Sequence, residues 1–347
     1  MTTRFTLSGF ETPAQAGFAQ VLRRDLIGAD PDALRERLPW KGADLQTIAH
    51  RAMFRQRPIP GTARAMEFPL SDGSGDRMTG TLHDPGQGGP LMVLMHGVAG
   101  CEDSVYMWDT AHYLASLGHR VLRLNMRGAG SSISSCSVTY QCDGVAEIID
   151  ILDLLEPELA GEGAFMVGFS MGGVILLNTL ARLGADHRII GALTVSAPLD
   201  LPDCSARIHQ PRNVIYQKAL LRDLMRMEQQ FTGPPFADRG APLPRPRSLR
   251  DYDHQFTALR HGYDSAEAYY HHASPKLRLA DISLPVMLLH AGNDPWIPDD
   301  GYRQLSDSGF DHLRVLLTPR GGHVGFHFHG YSEPFFAVLL GRLLDAM

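Results

Sequence analysis

The chain has few of the features that mark disulfide-bonded proteins. It contains four cysteines in 347 residues, and no two of them stand in a CxxC spacing. Small secreted domains use dense, paired cysteines, whereas scattered cysteines are typical of proteins kept reduced. We therefore expect four free thiols in a reducing compartment: Cys101, Cys136, Cys142 and Cys204.

Long apolar runs and dense basic runs are also missing. No apolar run approaches the length of a membrane span, and the opening Met-Thr-Thr-Arg-Phe leads into a mixed polar stretch. The 38 acidic residues outnumber the 32 basic ones, which leaves a net charge of −6. An acidic chain without a basic patch is a poor general partner for nucleic acid. We expect a cytoplasmic protein that neither binds nucleic acid nor inserts stably into a membrane; its oligomeric state is left open.

What the chain does have is a regular alternation of strand-length apolar runs and helical patterns. With 44% apolar residues it can bury a sizeable core. Strands that alternate with helices predict an α/β fold, with a mostly parallel sheet covered by helices on both faces. The predicted strands are 65–70, 77–82, 91–95, 120–125, 164–167, 189–195, 285–290 and 313–318, and the clearest helices are 104–117, 145–155 and 332–344.

Two parts of the chain fall outside this alternation. Residues 201–279 are too long for an ordinary connection, so we expect a cap inserted into a core formed by 63–200 and 280–347. The cap has a helical patch at 214–227 and a proline-rich stretch at 233–246. Its apolar residues, among them Leu220, Leu221, Leu224, Met225 and Met227, argue against a floppy surface insertion.

The N-terminal part is the second exception. Residues 1–62 carry two weakly helical patches, at 15–27 and 32–38. We expect an N-terminal extension that packs on the core.

The most informative stretch is Gly168-Phe169-Ser170-Met171-Gly172. An apolar strand leads into it and an apolar helix follows at once. A serine in so sharp a turn keeps its hydroxyl exposed, and the glycines allow the strand and helix backbones to approach. A flexible turn explains the same five residues when they are taken alone, and the strand before and the helix after favour a nucleophile elbow.

A second strand ends in His96-Gly97-Val98-Ala99-Gly100. Its glycines allow the N–H of Val98 to point at the space above Ser170. Together with the N–H of Met171, it would hold a developing oxyanion. The alternative is an ordinary glycine-rich turn between a strand and a helix.

An acid and a histidine follow two later strands. Asp294 lies in a turn fixed by Pro295, and His323 lies in a glycine loop. The order Ser170, Asp294, His323 is the one expected of a nucleophile, an orienting acid and a base on an α/β sheet. Asp299 and Asp300 are alternatives for the acid, and Asp294 is preferred because it is nearest the strand end.

Metal binding is a competing hypothesis for the histidines. His323, His327 and His329 are close in sequence, but no HExxH motif or cysteine spacing typical of zinc sites accompanies them. We therefore expect neither a metal nor another cofactor.

Several motifs together resemble the YheT-like α/β-hydrolases. This family groups bacterial predicted hydrolases with eukaryotic α/β-hydrolase-domain lipases and fungal medium-chain ethyl ester synthase/esterases. The resemblance covers about residues 39–326. It is carried by Leu45-Gln46-Thr47, Asn125-Met126-Arg127-Gly128, the elbow and its helix at 167–177, the cap segments 251–257, 262–263 and 269–275, Asn293-Asp294-Pro295, and Gly321 to Phe326.

The resemblance implies an α/β-hydrolase fold and a serine esterase that acts on a small-molecule ester. The family implies small-to-medium acyl or lipid-derived esters, cleaved through an acyl-Ser170 intermediate. Among the cap residues, Leu224 and Met225 are expected to contact the acyl chain. Acyl transfer or thioester cleavage by the same residues, and a non-catalytic binding protein on the same fold, are the alternatives.

Overall fold

The computed structural model describes residues 12–22, 31–53, 56–184, 186, 188–231, 243–310 and 312–347. The end of the first helical patch, 23–27, lies outside the described residues. Most of the proline-rich stretch, 233–242, also lies outside them.

Within the described residues, one sheet of eight strands forms the centre of the molecule. Its spatial order is β1-β2-β4-β3-β5-β6-β7-β8; β2 runs antiparallel to β1 and β4, and the remaining neighbours are parallel. The expected α/β fold, with a mostly parallel sheet, is thus confirmed. The strands are β1 Thr62–Pro69, β2 Arg77–Asp84, β3 Leu91–Met95, β4 Val121–Asn125, β5 Ala164–Phe169, β6 Ile189–Val195, β7 Val286–Ala291 and β8 Leu313–Thr318.

Helices cover both faces of this sheet, and each face has its own apolar cluster. The strands β3, β5, β6 and β7 are buried along their whole length, which explains why they are almost entirely apolar; Thr194 in β6 and His290 in β7 are the exceptions. The helices are α1 Pro13–Leu22, α2 Ala43–Met53, α3 Val105–Ser116, α4 Val145–Leu154, α5 Pro157–Ala160, α6 Met171–Leu183, α7 Leu201–Ile208, α8 Val214–Gln230, α9 Leu249–Tyr252, α10 Ala266–Ala273, α11 Asp300–Asp307 and α12 Phe335–Asp345.

The prediction of a helix at 32–38 was wrong. Only a short 3₁₀ turn, Pro31–Ala33, forms there. Beyond it the backbone pairs with the loop that follows β8: Glu36 forms a β-bridge with Phe328, and the N–H of Arg37 donates to the carbonyl of His327 at 3.1 Å. These tertiary hydrogen bonds use the groups that a helix would have needed.

The helices α7 to α10 lie between β6 and β7 in the chain, and we call residues 201–279 the cap segment. A buried ion pair holds part of it together. The guanidinium of Arg260 donates to both carboxylate oxygens of Glu228 on α8, and both side chains are almost fully buried. Tyr252 also donates to Glu228, at 2.6 Å. Arg260 further donates to Thr139 of the core at 3.2 Å, so the same pair connects the cap segment to the sheet domain.

We predict that Glu228→Ala destabilises the protein by about 3–5 kcal/mol, because it leaves the charge of Arg260 buried without a partner. Urea denaturation measures this change. The exposed pair of Arg64 and Glu156 provides the control, since Glu156→Ala should change the stability little. Equal losses in the two variants would contradict the importance of the buried pair.

Candidate active site

Ser170 lies at the sharp turn between β5 and α6. Its φ of 51° and ψ of −119° are unusual for a residue with a side chain. The turn requires glycine on both sides: a Cβ at Gly168 would lie 2.6 Å from the Cα of Gly173, and one at Gly172 would lie 2.4 Å from the carbonyl oxygen of Met95. The strand and helix on either side of this turn are buried, so the core fixes the position of Ser170.

The structure brings Ser170, His323 and Asp294 together. Nε2 of His323 lies 3.0 Å from Oγ of Ser170, and Nδ1 lies 2.8 Å from Oδ2 of Asp294. Because a carboxylate can only accept, Nδ1 carries the proton and Nε2 is left to accept from the serine hydroxyl. An imidazole that is oriented by a carboxylate in this way can activate a serine hydroxyl as a nucleophile.

Asp294 is completely buried at the end of β7. Its Oδ1 accepts from the backbone N–H groups of Trp296 and Ile297 at 2.8 and 3.1 Å. Burial alone would raise the pKa of Asp294, but the charge of His323 and the hydrogen bonds lower it below its usual value. The carboxylate is therefore held ionised and oriented toward His323.

The loop that carries His323 is held by side chains from three separate parts of the chain. Three consecutive backbone N–H groups, those of 322, 323 and 324, donate to Asn293 at 2.9 Å, to Thr47 at 2.9 Å and to Ser196 at 3.2 Å. Gln46, next to Thr47 on α2, accepts from the N–H of His327 and donates to its carbonyl. The helix α2 thus positions the imidazole.

The alternatives for the acid and for a metal site lie elsewhere. Asp299 pairs with Arg303, and Asp300 is an exposed residue of α11. The ring of His327 stacks on Trp40 instead of facing His323. In the part of the chain that the structure describes, no three His, Cys, Asp or Glu side chains are arranged to hold a metal ion.

Two tyrosine hydroxyls hold the loop that contains Val98. The N–H of Gly97 donates to Tyr106 at 2.9 Å, and the N–H of Ala99 donates to Tyr140 at 2.8 Å. Ala99 has a φ of 53°, a left-handed conformation that is rare for a residue with a side chain. The two N–H groups that flank Val98 are thus occupied by side chains of the core, and Val98 itself lies on the wall of the cavity at Ser170.

His96 supports this loop from below. Its Nδ1 lies 2.8 Å from the carbonyl of Gly97, and its Nε2 accepts from the N–H of Met126 at 3.1 Å. Burial lowers the pKa of His96 to about 4, so the ring stays neutral at physiological pH. The hydrogen bonds of His96 go to the backbone of Gly97 and Met126, so it supports the loop.

Ser170 and His323 lie on the wall of a largely apolar cavity beneath the cap segment, which we call the cap cavity. Leu224, one of the two predicted acyl contacts, lines it. Met225 does not; it is partly exposed and packs beside Leu224, Tyr252 and Phe256. The cap cavity is lined by Val98, Thr139, Tyr140, Cys142, Met171, Val174, Pro198, Leu201, Cys204, Ser205, Ile208, Leu220, Leu224, Met227, Leu249, Tyr252, Asp253, Thr257, Tyr269, Tyr270, Trp296 and Ile297, together with Ser170 and His323.

A second cavity, the loop cavity, also has Ser170 on its wall. Its wall includes the stretch 97–101 and residues 103–106. Thr47, Leu220, Trp296 and Val324 complete it, and Ser170 and His323 belong to both cavities. Ser170 is thus accessible from two cavities.

Three neighbours of these residues were not expected from the sequence. The ring of Trp296 lies 4.2 Å from that of His323, and it lines both cavities. Tyr106 and Tyr140 hold the loop around Val98, as described above. Trp296 stands two residues after Asp294, which was a usable signal, whereas nothing in the sequence pattern connects the tyrosines to residues 97–99.

Comparison with known proteins agrees with this architecture. The family model described as "alpha/beta hydrolase fold" matches residues 90–330. The chain is 28% identical over 298 residues to "Putative esterase YheT" of Escherichia coli, a match that covers 84% of this chain and 87% of that protein.

Two eukaryotic relatives match a smaller part of their own length. "Phospholipase ABHD3" of Mus musculus is 26% identical over 239 residues, which cover 68% of this chain and 58% of that protein. "Monoacylglycerol lipase" of Saccharomyces cerevisiae is 28% identical over 265 residues, or 74% of this chain and 59% of that protein. This chain thus spans less than two thirds of either relative.

Among solved structures, an esterase of Pyrococcus furiosus superposes with a TM-score of 0.53 at 16% identity, covering 84% of this chain and 98% of that one. At such identity the likeness concerns the fold alone. No helix in the described residues has both the length and the apolar character needed to cross a bilayer.

We predict that Tyr140→Phe lowers kcat for p-nitrophenyl acetate about tenfold or more with little change in KM. The variant leaves the N–H of Ala99 without its acceptor, and the loop that carries Val98 then relaxes. Steady-state kinetics measure the effect. Tyr263→Phe, on the cap segment and outside both cavities, is the control. An unchanged kcat in Tyr140→Phe would contradict the bracing role.

Proposed function

Because the chain belongs to the alpha/beta hydrolase family, we propose that it is a serine hydrolase that cleaves carboxylic esters. The observation that carries this proposal is the chain of contacts from Ser170 through His323 to Asp294, at 3.0 and 2.8 Å. Relatives named as an esterase, a phospholipase and a lipase support an ester as the substrate class.

In the first half of the reaction, Oγ of Ser170 attacks the ester carbonyl while Nε2 of His323 takes the hydroxyl proton. A bond forms between Oγ and the carbonyl carbon, and the carbonyl oxygen becomes negatively charged. Asp294 stabilises the imidazolium and keeps its ring oriented. His323 then gives the proton to the departing alcohol as the carbon–oxygen bond breaks, which leaves an acyl group on Ser170.

The backbone N–H groups of Val98 and Met171 are the proposed donors to the negative oxygen. Met171 is the first residue of α6, where a backbone N–H has no partner within the helix and the helix dipole favours negative charge. In the second half, His323 takes a proton from water, the resulting hydroxide attacks the acyl carbon, and Ser170 recovers its proton as the acid leaves.

The two cavities suggest where each half of the ester lies. The cap cavity is lined mainly by apolar side chains, including Leu220, Leu224 and Met227, and suits the acyl chain. The loop cavity carries Cys101, Asp103 and other polar groups, and suits the alcohol. We propose this orientation for the substrate, with the carbonyl between the two cavities at Ser170.

We predict that Ser170→Ala abolishes covalent labelling by a fluorophosphonate and lowers ester turnover by several orders of magnitude. His323→Ala should have a comparable effect on turnover because the general base is lost. Gel-based labelling and p-nitrophenyl ester hydrolysis measure the two quantities. A folded Ser170→Ala variant labelled fully at another residue would contradict the assignment.

The choice of acid has its own test. Asp294→Asn should cost far more activity than Asp300→Asn, since only Asp294 contacts His323. The two variants make the same chemical change, so their kcat values under identical conditions are directly comparable. A larger loss in Asp300→Asn would show that the acid was assigned to the wrong residue.

A further prediction concerns acyl length. Each methylene buried in the cap cavity is worth about 0.8 kcal/mol, or roughly a fourfold gain in kcat/KM, until the cavity is filled. We expect an optimum at short-to-medium acyl chains. In Leu224→Ser this gain should flatten, because the substitution places a hydroxyl on the cavity wall.

Met225→Ser is the matched control for Leu224→Ser. It changes the next residue of α8, which does not line the cavity, so the dependence of kcat/KM on acyl length should persist. A p-nitrophenyl ester series, normalised to the acetyl ester in each variant, measures the dependence. If Met225→Ser flattens it and Leu224→Ser does not, the acyl chain lies elsewhere.

A further inference from the structure

The cap cavity contains a carboxylate that the proposed reaction does not use. Asp253 begins the π-helical turn Asp253–Ala258 on the cap segment and lines the same cavity as Ser170. π-turns are rare and often accompany functional sites. A carboxylate on an otherwise largely apolar wall needs a physical reason.

The immediate partners of Asp253 are hydroxyl groups. Its Oδ2 accepts from the hydroxyl of Tyr270 at 2.6 Å, and its Oδ1 accepts from Thr257 at 2.9 Å. Among the described residues, no lysine or arginine forms an ion pair with Asp253, and His209 acts on its pKa through space. Each carboxylate oxygen retains the capacity to accept a further hydrogen bond.

Asp253 is one of the residues that form the wall of the cap cavity. The residue is partly exposed, yet burial raises its pKa to about 6 despite the opposing hydrogen bonds and the charge of His209. Asp253 lies on the wall of the cap cavity, which is largely apolar. Its carboxylate is therefore within reach of a molecule held in that cavity.

We propose that Asp253 accepts a hydrogen bond from a hydroxyl group carried on the acyl chain, so that hydroxyacyl esters are preferred substrates. This inference rests on the proposed function, in which the cap cavity holds the acyl chain. A hydroxyl offers one proton to the carboxylate. An ammonium would have to bury three donors in a wall that provides one carboxylate, which makes it the poorer ligand.

An apolar cavity alone cannot produce a preference for hydroxyl-ended over methyl-ended acyl chains. A hydroxyl moved from water into an apolar pocket loses its hydration without compensation, so simple acyl esters would be favoured. Only an acceptor on the wall reverses this order. The comparison of methyl-ended and hydroxyl-ended chains of equal length therefore isolates the contribution of the wall.

The experiment uses p-nitrophenyl esters from hexanoyl to decanoyl, each with a terminal methyl, hydroxyl or amino group. The readout is the ratio of kcat/KM for the hydroxyl ester to that for the methyl ester. In the wild-type protein we expect the ratio to exceed unity at the lengths that reach Asp253, and to fall about tenfold or more at other lengths. Asp253→Asn should lower the maximum about tenfold, because a charged acceptor is replaced by a neutral one.

Two control variants separate the carboxylate from its surroundings. Thr257→Val removes one hydroxyl partner of Asp253 but keeps the carboxylate, so the preference should remain. Asp264→Asn makes the same chemical change at an exposed position of the cap segment outside both cavities, and the ratio should stay as in the wild type. Because each ratio is formed within one variant, general losses of activity cancel.

Three outcomes would overturn the inference: no chain length with a preference for hydroxyl, a preference that survives Asp253→Asn, or a stronger preference for amino-ended chains. Failure of the proposed function is distinguishable, because no ester would then be hydrolysed in a manner that depends on Ser170.

Discussion

The sharp turn at Ser170 is the constraint on which the rest of the structure depends. A positive φ at a residue with a side chain costs on the order of 1–3 kcal/mol and persists only where the surroundings enforce it. Here the N–H of Ser170 donates to Val195 at 2.8 Å, and its carbonyl accepts from Gly173 and Val174. The strand before it and the helix after it are buried in the two apolar clusters. Ser170 therefore cannot move toward its partners, and every other group of the site must be brought to it.

His323 is brought to Ser170 by hydrogen bonds to the backbone of its loop. Its N–H groups are held by Thr47, Ser196 and Asn293, which come from the N-terminal part and from the ends of two strands. The fit of α2 is close, since a Cβ at Gly325 would lie 2.2 Å from the carbonyl oxygen of Gln46. The N-terminal residues are thus part of the site, and the position of the imidazole depends on the packing of a helix far away in sequence.

The sequence predicts elements that depend on local contacts better than elements that depend on tertiary contacts. The strands 91–95, 189–195 and 313–318 were predicted with their observed bounds because apolar side chains are needed along them whatever their neighbours are. The sequence order of Ser170, Asp294 and His323 predicted their approach because strand ends of a parallel sheet share one edge. The helix predicted at 32–38 failed because its backbone pairs with residues 327–329, which are distant in sequence. Met225 could have been separated from Leu224 by helical geometry, since neighbouring residues lie about 100° apart around the axis.

Two carboxylates of the cap segment, Glu228 and Asp253, have different partners, and the difference is informative. Glu228 is paired with Arg260 and accepts from Tyr252, an arrangement that offsets the loss of hydration and fixes α8 to residues on either side of the π-helical turn. Asp253, at the start of that turn, has hydroxyl partners and borders the cavity. A carboxylate without a cationic partner costs more to remove from water than a paired acid or an apolar side chain. In the proposed complex, a substrate in the cavity supplies the further hydrogen bond that Asp253 can accept. The free energy lost by burying this carboxylate is then a cost of binding, as is common at sites that act on ligands.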